Sequence, residues 1–222
     1  MKAFHRLSVV AFVLIWPASM VAQDPLKVDP GHYKVVLENA SVRVLRVSYA
    51  PGAKSIMHQH PEAIAVALSP SKVRFTLPDG KTQDNDMANE SALYTPAGTH
   101  NPANVGTTPV DVVLVEFKGA AGKAVLPTSR PDMTTKTLAE GPRAIAYRAT
   151  VAPAFAEPAG TKHDYDQVVI ALGPGSVALS LDGKLAKSTW ARGDVVFIGR
   201  GTAHESKNTG GKPADIVMVA IK

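Results

Sequence analysis

The sequence predicts an all-β protein built from two tandem copies of a small barrel. Apolar and polar residues alternate in several segments, turn-forming residues are frequent, and the second half of the chain repeats the first. The 222 residues include 17 glycines and 17 prolines, which favours many turns over long helices. After residue 22, no long segment has apolar residues at the 3.6-residue spacing of an amphipathic helix.

Residues 1–22 have the pattern of a secretory signal. Lys2 and Arg6 provide a positively charged start, and the apolar run 7–16 follows them. This run is shorter than the about 20 apolar residues of a transmembrane helix, and Ala22 is a suitable residue before a cut. We therefore expect an exported mature protein, periplasmic or secreted. A buried N-terminal helix and an uncleaved anchor are the alternatives.

Several later segments have strand patterns. Segment 41–49 is rich in valine and leucine, and Val73, Phe75 and Leu77 alternate with polar residues, as expected for a strand with one buried face. The Asp-Gly pair at 79–80 then predicts a hairpin turn. Segment 110–117 is apolar enough for a strand that is buried on both faces.

The repeat indicates a duplicated domain. Val66-Ala67-Leu68-Ser69-Pro70 corresponds to Ile170-Ala171-Leu172-Gly173-Pro174, 104 positions later, and 112–118 corresponds to 216–222 at the same separation. Self-similarity at one separation is typical of tandem structural units.

These correspondences set the predicted domain boundaries. The N-terminal barrel is expected at 27–118 and the C-terminal barrel at 142–222. Segment 119–141 is rich in glycine, proline, threonine and lysine without clear periodicity. It is interpreted as a linker or as a segment that covers a sheet edge.

Composition excludes several classes of function. The chain has no cysteine, so disulfides and thiolate metal sites are impossible. Its net charge is +5, but no cluster of basic and aromatic residues predicts nucleic-acid binding. The expected partner is a small-molecule substrate or ligand, with no membrane contact after signal removal, and a homodimer is left open.

Three histidines are candidates for a metal site. His58 and His60 are separated by one residue, and alternate side chains of a strand point to the same face. Two imidazoles placed in this way can hold one metal ion together. His100 lies in a turn-rich segment, Thr-Pro-Ala-Gly-Thr-His-Asn-Pro. We expect these three side chains to meet inside a β-barrel.

The spacing of these residues resembles the motifs of the cupin superfamily. Gly52, five residues and His58-x-His60 resemble the first cupin motif. Two segments resemble the second cupin motif: Gly193-x5-Gly199-x-Gly201-x2-His204-x3-Asn208 and Pro96-x-Gly98-x-His100-x3-Asn104. Gly199 replaces the usual proline. The chain thus resembles a two-domain cupin, or bicupin, in which each domain is a small jelly-roll barrel.

The resemblance implies a divalent-metal site with His58, His60 and His100 as ligands. Cupins add a glutamate ligand four or five residues after the second histidine, where this chain has Ile64 and Ala65. Glu62 could take that place as a ligand or act as a general base. Alternatively it is a solvated loop carboxylate and water takes the fourth position. The ion could be Mn, Fe, Ni, Zn or Cu.

The second copy departs further from the pattern. Lys162 and Asp164 occupy the positions of the two histidines, and His163 between them should face the other way unless the strand bulges. Asp166 takes the place of Glu62. Asp166 and His204, with His163 or Asp164, could still build a site, but we favour a degenerate second barrel.

The functions left open are a metal-dependent enzyme, a non-catalytic periplasmic binding protein and a storage-like or structural bicupin. The resemblance includes dioxygenases that act on small organic or phenolic substrates, and the fold by itself does not select a reaction. An oxygenase-like enzyme is the favoured interpretation. Val66, Phe75 and Val113 are expected to line a largely apolar ligand cavity.

Overall fold

The computed structural model describes residues 23–120, 122 and 129–222, so the predicted leader at 1–22 lies outside the described residues. Among the described residues, no helix has the length and hydropathy needed to cross a bilayer. The elements are α1 (Pro25–Val28), β1 (Tyr33–Glu38), β2 (Val42–Tyr49), β3 (His58–His60), β4 (Ala63–Ala67), β5 (Ser71–Thr76), β6 (Thr82–Met87), β7 (Ala92–Thr95), β8 (Gly98–Asn104), β9 (Val110–Phe117), β10 (Met133–Glu140), β11 (Ala144–Val151), β12 (Asp166–Ala171), β13 (Val177–Leu181), β14 (Lys184–Lys187), β15 (Val195–Ile198), β16 (His204–Asn208) and β17 (Ala214–Ile221).

Two antiparallel sheets form the N-terminal barrel. One has the strand order β1-β2-β9-β4-β7 and the other the order β3-β8-β5-β6. Strands distant in sequence pair along their whole length, as β2 and β9 do from Val42–Phe117 to Tyr49–Val110. The β5–β6 hairpin turns at Gly80, whose φ of 82° is a conformation that glycine adopts without steric cost.

The C-terminal barrel repeats this arrangement. Its sheets have the orders β10-β11-β17-β12-β15 and β14-β13-β16, which confirms the all-β class with two tandem barrels. Strand β10 pairs with β11 from Met133–Val151 onward, in the place that β1 has in the first barrel. It lies within the segment 119–141 that was predicted as a linker. This edge strand is mostly exposed, so its sequence lacks a clear apolar alternation.

The central strands of the five-stranded sheets, such as β4 and β9, are buried on both faces. On β4, Ala65 faces the interior of its own barrel, whereas Ile64 and Val66 pack in an apolar cluster with residues of the other barrel such as Ile170. The two barrels therefore share a central apolar layer. Val66 and Val113, predicted to line a ligand cavity, belong to this shared layer instead. Continuous apolar runs identified these two strands but not which face of each looks inward.

Gly141 lies at a close contact between the barrels. A Cβ atom there would lie 2.2 Å from Cδ2 of Tyr94. Gly141→Ala is therefore expected to lower the free energy of unfolding by about 1–3 kcal/mol, because overpacking forces neighbouring groups to move. Urea denaturation measures the change. Gly211→Ala is the matched control, since a Cβ there meets nothing within 4 Å. Equal losses in both variants would contradict the close contact.

Candidate metal centre

Three histidines meet in the interior of the N-terminal barrel. His58 and His60 lie on β3, and His100 lies opposite His58 on the paired strand β8. Their ring centroids are 4.8 Å apart for His58 and His60, 5.2 Å for His58 and His100 and 5.4 Å for His60 and His100. One nitrogen of each ring lies within 4.8 Å of the others. Strand alternation brings the first two together, and antiparallel pairing adds the third.

Hydrogen bonds on the far side of two rings leave their Nε2 atoms unprotonated. His58 Nδ1 lies 2.8 Å from the carbonyl oxygen of Ile56, and His60 Nδ1 lies 2.6 Å from Oε1 of Glu116. Both partners only accept, so both Nδ1 atoms carry the proton. The two Nε2 atoms then face each other with lone pairs at 3.0 Å. Imidazoles oriented in this way are typical of metal ligands.

The protonation state of the cluster suits a divalent ion. Burial, assisted by the neighbouring His60, lowers the pKa of His58 to about 4. Burial, together with the neighbouring His60 and His58, lowers the pKa of His100 to about 3. Both rings are therefore neutral at neutral pH, and their lone pairs are available. The 3.0 Å between the Nε2 atoms is compatible with two metal bonds of about 2.0–2.1 Å.

Tyr33 borders the same cluster. Its hydroxyl lies 3.0 Å from Nε2 of His58, and its ring meets the His58 ring edge-on at a centroid distance of 5.2 Å. Burial raises the pKa of Tyr33 above its ordinary value, so the phenol keeps its proton at neutral pH. No motif marks Tyr33, which precedes His58 by 25 positions, and sequence reasoning missed it.

The structure does not bring Glu62 to the histidine cluster. Its side chain points toward the other barrel, as do the side chains of Ile64 and Val66 two and four positions later. Its Oε1 accepts a hydrogen bond from Tyr94 Oη at 2.8 Å, and Arg143 lies 3.9 Å away. The expected ligand and general-base roles of Glu62 thus have no support in this geometry. Its repeat counterpart Asp166 is also elsewhere, accepting from Oγ of Ser41 at 2.6 Å.

A different carboxylate, Glu116, supports the cluster. Glu116 is 1% exposed and accepts from His60 with Oε1 and from Arg43 Nε with Oε2. Arg43 also donates a hydrogen bond from Nη1 to Asp24, whose side chain caps the N-terminus of α1. The sequence carries a signal for Glu116, because a carboxylate within an apolar strand buried on both faces needs a partner.

Glu116→Gln is expected to weaken metal binding roughly 10–100-fold, the usual effect of losing a carboxylate that orients a ligating histidine. Competition against a chromophoric chelator measures the dissociation constant. Glu62→Gln is the matched control and should leave it unchanged, since Glu62 lies outside the cluster. A larger loss in Glu62→Gln than in Glu116→Gln would contradict this assignment.

A second group of potential ligands lies in the C-terminal barrel. It consists of Glu157, His163 and His204, with 4.9 Å between the two imidazole centroids and 3.6 Å between His204 Nε2 and Glu157 Oε2. Arg130 donates a hydrogen bond to the same carboxylate. This guanidinium already neutralises Glu157, so we expect a weaker cation site than in the N-terminal barrel. Sequence reasoning missed Glu157, which lies in a loop outside the motif.

A one-residue shift explains why the second group differs from the expected one. Thr161 pairs with His204, in the way that His58 pairs with His100 in the first barrel. His163, two residues after Thr161, therefore points inward, while Lys162 and Asp164 are exposed. Shifting a strand by one residue exchanges its two faces, so the repeat alignment assigned these side chains to the wrong faces.

A cavity of about 110 Å³ opens beside His60 and His100. Phe75 lines it, as predicted, and its ring lies 4.6 Å from that of His100. Ala65 and Leu114 contribute further apolar surface. The described lining residues include no lysine, arginine, aspartate or glutamate. The histidine cluster thus borders a small apolar space.

Comparison with known proteins gives a likeness in fold. No protein-family model matches the chain, and no curated protein does. AerE from Microcystis aeruginosa matches with a TM-score of 0.65 at 13% identity, covering 86% of this chain and 97% of that one. A variant of oxalate decarboxylase from Bacillus subtilis matches with a TM-score of 0.61 at 14% identity, covering 85% and 71%.

Two further solved structures are similar to this chain over most of its length. Salicylate 1,2-dioxygenase from Pseudoaminobacter salicylatoxidans has a TM-score of 0.62 at 10% identity, with 83% and 70% covered. A cupin 2 conserved barrel domain protein from Leptotrichia buccalis has a TM-score of 0.58 at 12% identity, with 86% and 88% covered. Likeness at such low identity establishes the fold alone. The two tandem barrels have the cupin fold that the motifs led us to expect.

Proposed function

We propose that this two-barrel cupin chain is a divalent-metal-dependent enzyme acting on a small organic molecule, with His58, His60 and His100 as ligands. One observation carries the proposal: three imidazole nitrogens converge beside a cavity. Structural zinc sites are closed by four protein ligands, whereas catalytic sites keep a position open. Among the matched structures are proteins named oxalate decarboxylase and salicylate 1,2-dioxygenase. We favour an oxygenase-like reaction, the class that the resemblance in the sequence implies.

The side chains around the cluster have distinct roles in this proposal. A bound divalent ion supplies Lewis acidity and, if it is redox-active, oxygen activation. Glu116 holds the proton on His60 Nδ1 and so keeps Nε2 directed at the ion. Tyr33 Oη holds a proton beside His58 Nε2 and is placed to donate it to substrate. Ala65 and Leu114 exclude water from the space that the substrate would occupy.

The ligand set narrows the choice of ion. Neutral imidazoles suit Zn, Cu, Fe and Ni, whereas carboxylate ligands favour harder ions such as Mn. With Glu62 outside the cluster, the proposed ligands are three nitrogens and no carboxylate. We therefore expect Fe, Cu, Ni or Zn to bind more tightly than Mn.

The second candidate is a non-catalytic protein that binds a small ligand in the N-terminal barrel. The observation that favours it is the scarcity of acid–base groups in the cavity. Apart from the histidines, Tyr33 and Tyr49 are the described lining residues with an ionisable side chain. Burial raises the pKa of both phenols, so neither is a base at neutral pH.

Metal analysis followed by oxygen-uptake measurements tests these two candidates. The metal-free protein would be titrated with each of the five ions, and oxygen consumption followed with phenols and diketones. Tight binding of at least one equivalent together with oxygen uptake would support the enzyme. Binding without turnover would support the second candidate. If none of the ions binds, the metal-dependent function is wrong.

Export is part of the proposal and rests on the signal-like pattern of residues 1–22. We infer that the mature protein works in the periplasm or outside the cell, on a small molecule and without nucleic acid. N-terminal sequencing of the protein from a periplasmic fraction tests this. A start near residue 23 is expected, and full-length protein confined to the cytoplasm would overturn it.

A further inference from the structure

We propose that the cavity of the N-terminal barrel takes a neutral, ring-sized molecule that has one oxygen at the histidine cluster and a second polar group at the Ser71 hydroxyl. This inference rests on the proposed metal site for the first contact. It adds the charge and size of the molecule and the position of its second polar group. Three features of the cavity support it.

The first feature is the absence of a cationic partner for an anion. The described lining residues include no lysine or arginine. Two carboxylates instead surround the metal-binding side: Glu116 accepts from His60, and Asp29 accepts from Ser55, which itself contacts His58 Nδ1. These negative charges offset that of a bound dication. A carboxylate substituent away from the ion would lose its hydration without gaining a partner, which is unfavourable in an apolar space.

The second feature is an unpartnered hydroxyl on the cavity wall. Ser71 is 6% exposed and lines the cavity, and its Oγ has no hydrogen-bond partner among the described residues. Buried polar groups in native proteins nearly always have a partner, and exceptions need an explanation. A serine hydroxyl both donates and accepts, so a hydroxyl, carbonyl or amide of a ligand would satisfy it once rotation of the Ser71 side chain turns Oγ into the cavity.

The third feature is the arrangement of the two polar ends. Ser71, Val73 and Phe75 alternate along β5 and all line the cavity, and the Phe75 ring contacts His100. At about 3.3 Å per residue, the Cα atoms of Ser71 and Phe75 lie roughly 13 Å apart. The histidine cluster and Ser71 therefore lie toward opposite ends, with Val73 between them on β5.

The volume sets the size of the ligand. The cavity measures about 110 Å³, somewhat less than the ~150 Å³ apolar cavity that holds benzene. One six-membered ring fills this space with small adjustments of the surrounding side chains. Between two polar ends, a ring with substituents at opposite positions is the natural shape.

Two matched pairs of probes test the proposal on zinc-loaded protein by isothermal titration calorimetry. Hydroquinone and 4-methylphenol differ by a hydroxyl in place of a methyl group. The neutral 4-hydroxybenzamide and the anionic 4-hydroxybenzoate have nearly the same shape. We expect the amide to bind at least tenfold more tightly than the anion. We also expect hydroquinone to bind roughly 3–10-fold more tightly than 4-methylphenol, as for one neutral hydrogen bond.

Ser71→Ala should abolish the preference for hydroquinone while leaving 4-methylphenol affinity within twofold. Without ligand, this variant should melt at the same or a higher temperature, because it removes an unpaired buried hydroxyl. Equal affinity for the amide and the anion would overturn the proposed charge preference. An unchanged hydroquinone preference in Ser71→Ala would overturn the proposed contact.

The metal content of each sample separates this proposal from the proposed function. If zinc is bound but the probe preferences are absent, the ligand class is wrong and the metal site stands. If neither zinc nor any of the other four ions binds at the histidines, the metal-dependent function fails. The same probes on the metal-free protein then still decide whether the cavity prefers neutral rings and whether Ser71 contacts them.

Discussion

Replacing His60 with alanine is expected to remove the tight metal equivalent, weakening the affinity at least about a hundredfold. A four-ligand zinc site binds with about 10–16 kcal/mol, or roughly 3 kcal/mol for each ligand, and 1.4 kcal/mol corresponds to a factor of ten. The Nε2 atoms of His60 and His58 lie 3.0 Å apart, and Nδ1 of His60 donates a hydrogen bond to Glu116. The variant therefore loses one of the three ligands and leaves Oε1 of the buried Glu116 without its imidazole partner.

Metal content and chelator competition measure this change. Gln59→Ala is the matched control, because Gln59 lies between the two ligands on β3 with an exposed side chain. It should bind metal like the unmodified protein. His204→Ala, in the second cluster, should leave the tight equivalent in place. Loss of that equivalent in His204→Ala but not in His60→Ala would locate the metal in the C-terminal barrel and contradict the assignment.

Ile170→Asp is expected to unfold the protein or to lower its melting temperature by roughly 10 °C or more. Ile170 is fully buried in the apolar layer shared by the two barrels. An unpaired buried carboxylate costs several kcal/mol, and for a chain of this size 1 kcal/mol corresponds to about 2–4 °C. Thermal unfolding followed by circular dichroism measures the shift.

Two further variants make the Ile170 prediction decisive. Leu185→Asp introduces the same charge where the side chain is 65% exposed, so it should change stability by less than about 0.5 kcal/mol. Ile170→Ala removes apolar volume without adding charge and should cost about 2–5 kcal/mol. If Ile170→Ala and Ile170→Asp both melt within 2 °C of the unmodified protein, the shared layer does not stabilise the fold.

The repeat and the strand patterns correctly predicted the all-β class and the duplication. Segment 110–117 was predicted as a doubly buried strand, and β9 spans Val110–Phe117 with most of its side chains buried. Alternation and burial are local properties that a sequence carries directly. Strand β10 escaped prediction because an exposed edge strand needs few apolar residues, so its pattern resembles that of a loop.

The candidate ligands illustrate the limit of spacing arguments. His58 and His60 share a face because they are two residues apart in one strand, and spacing alone predicts that. Glu62 was considered for the same site because it is near in sequence. Glu116, 56 positions from His60, is the carboxylate that contacts it. Sequence distance does not reveal partners that antiparallel pairing brings together.

By itself, the sequence determined that the chain is all-β, that it is duplicated and that three histidines are spaced as in a cupin metal site. These features depend on side-chain period and on repetition, which are written along the chain. Only the tertiary structure decided which face of each strand looks inward, that Glu157 joins His163 and His204, and that Ser71 faces the cavity. The physical reason is that a face or a partner depends on how distant strands pair, and a shift of one residue reverses it.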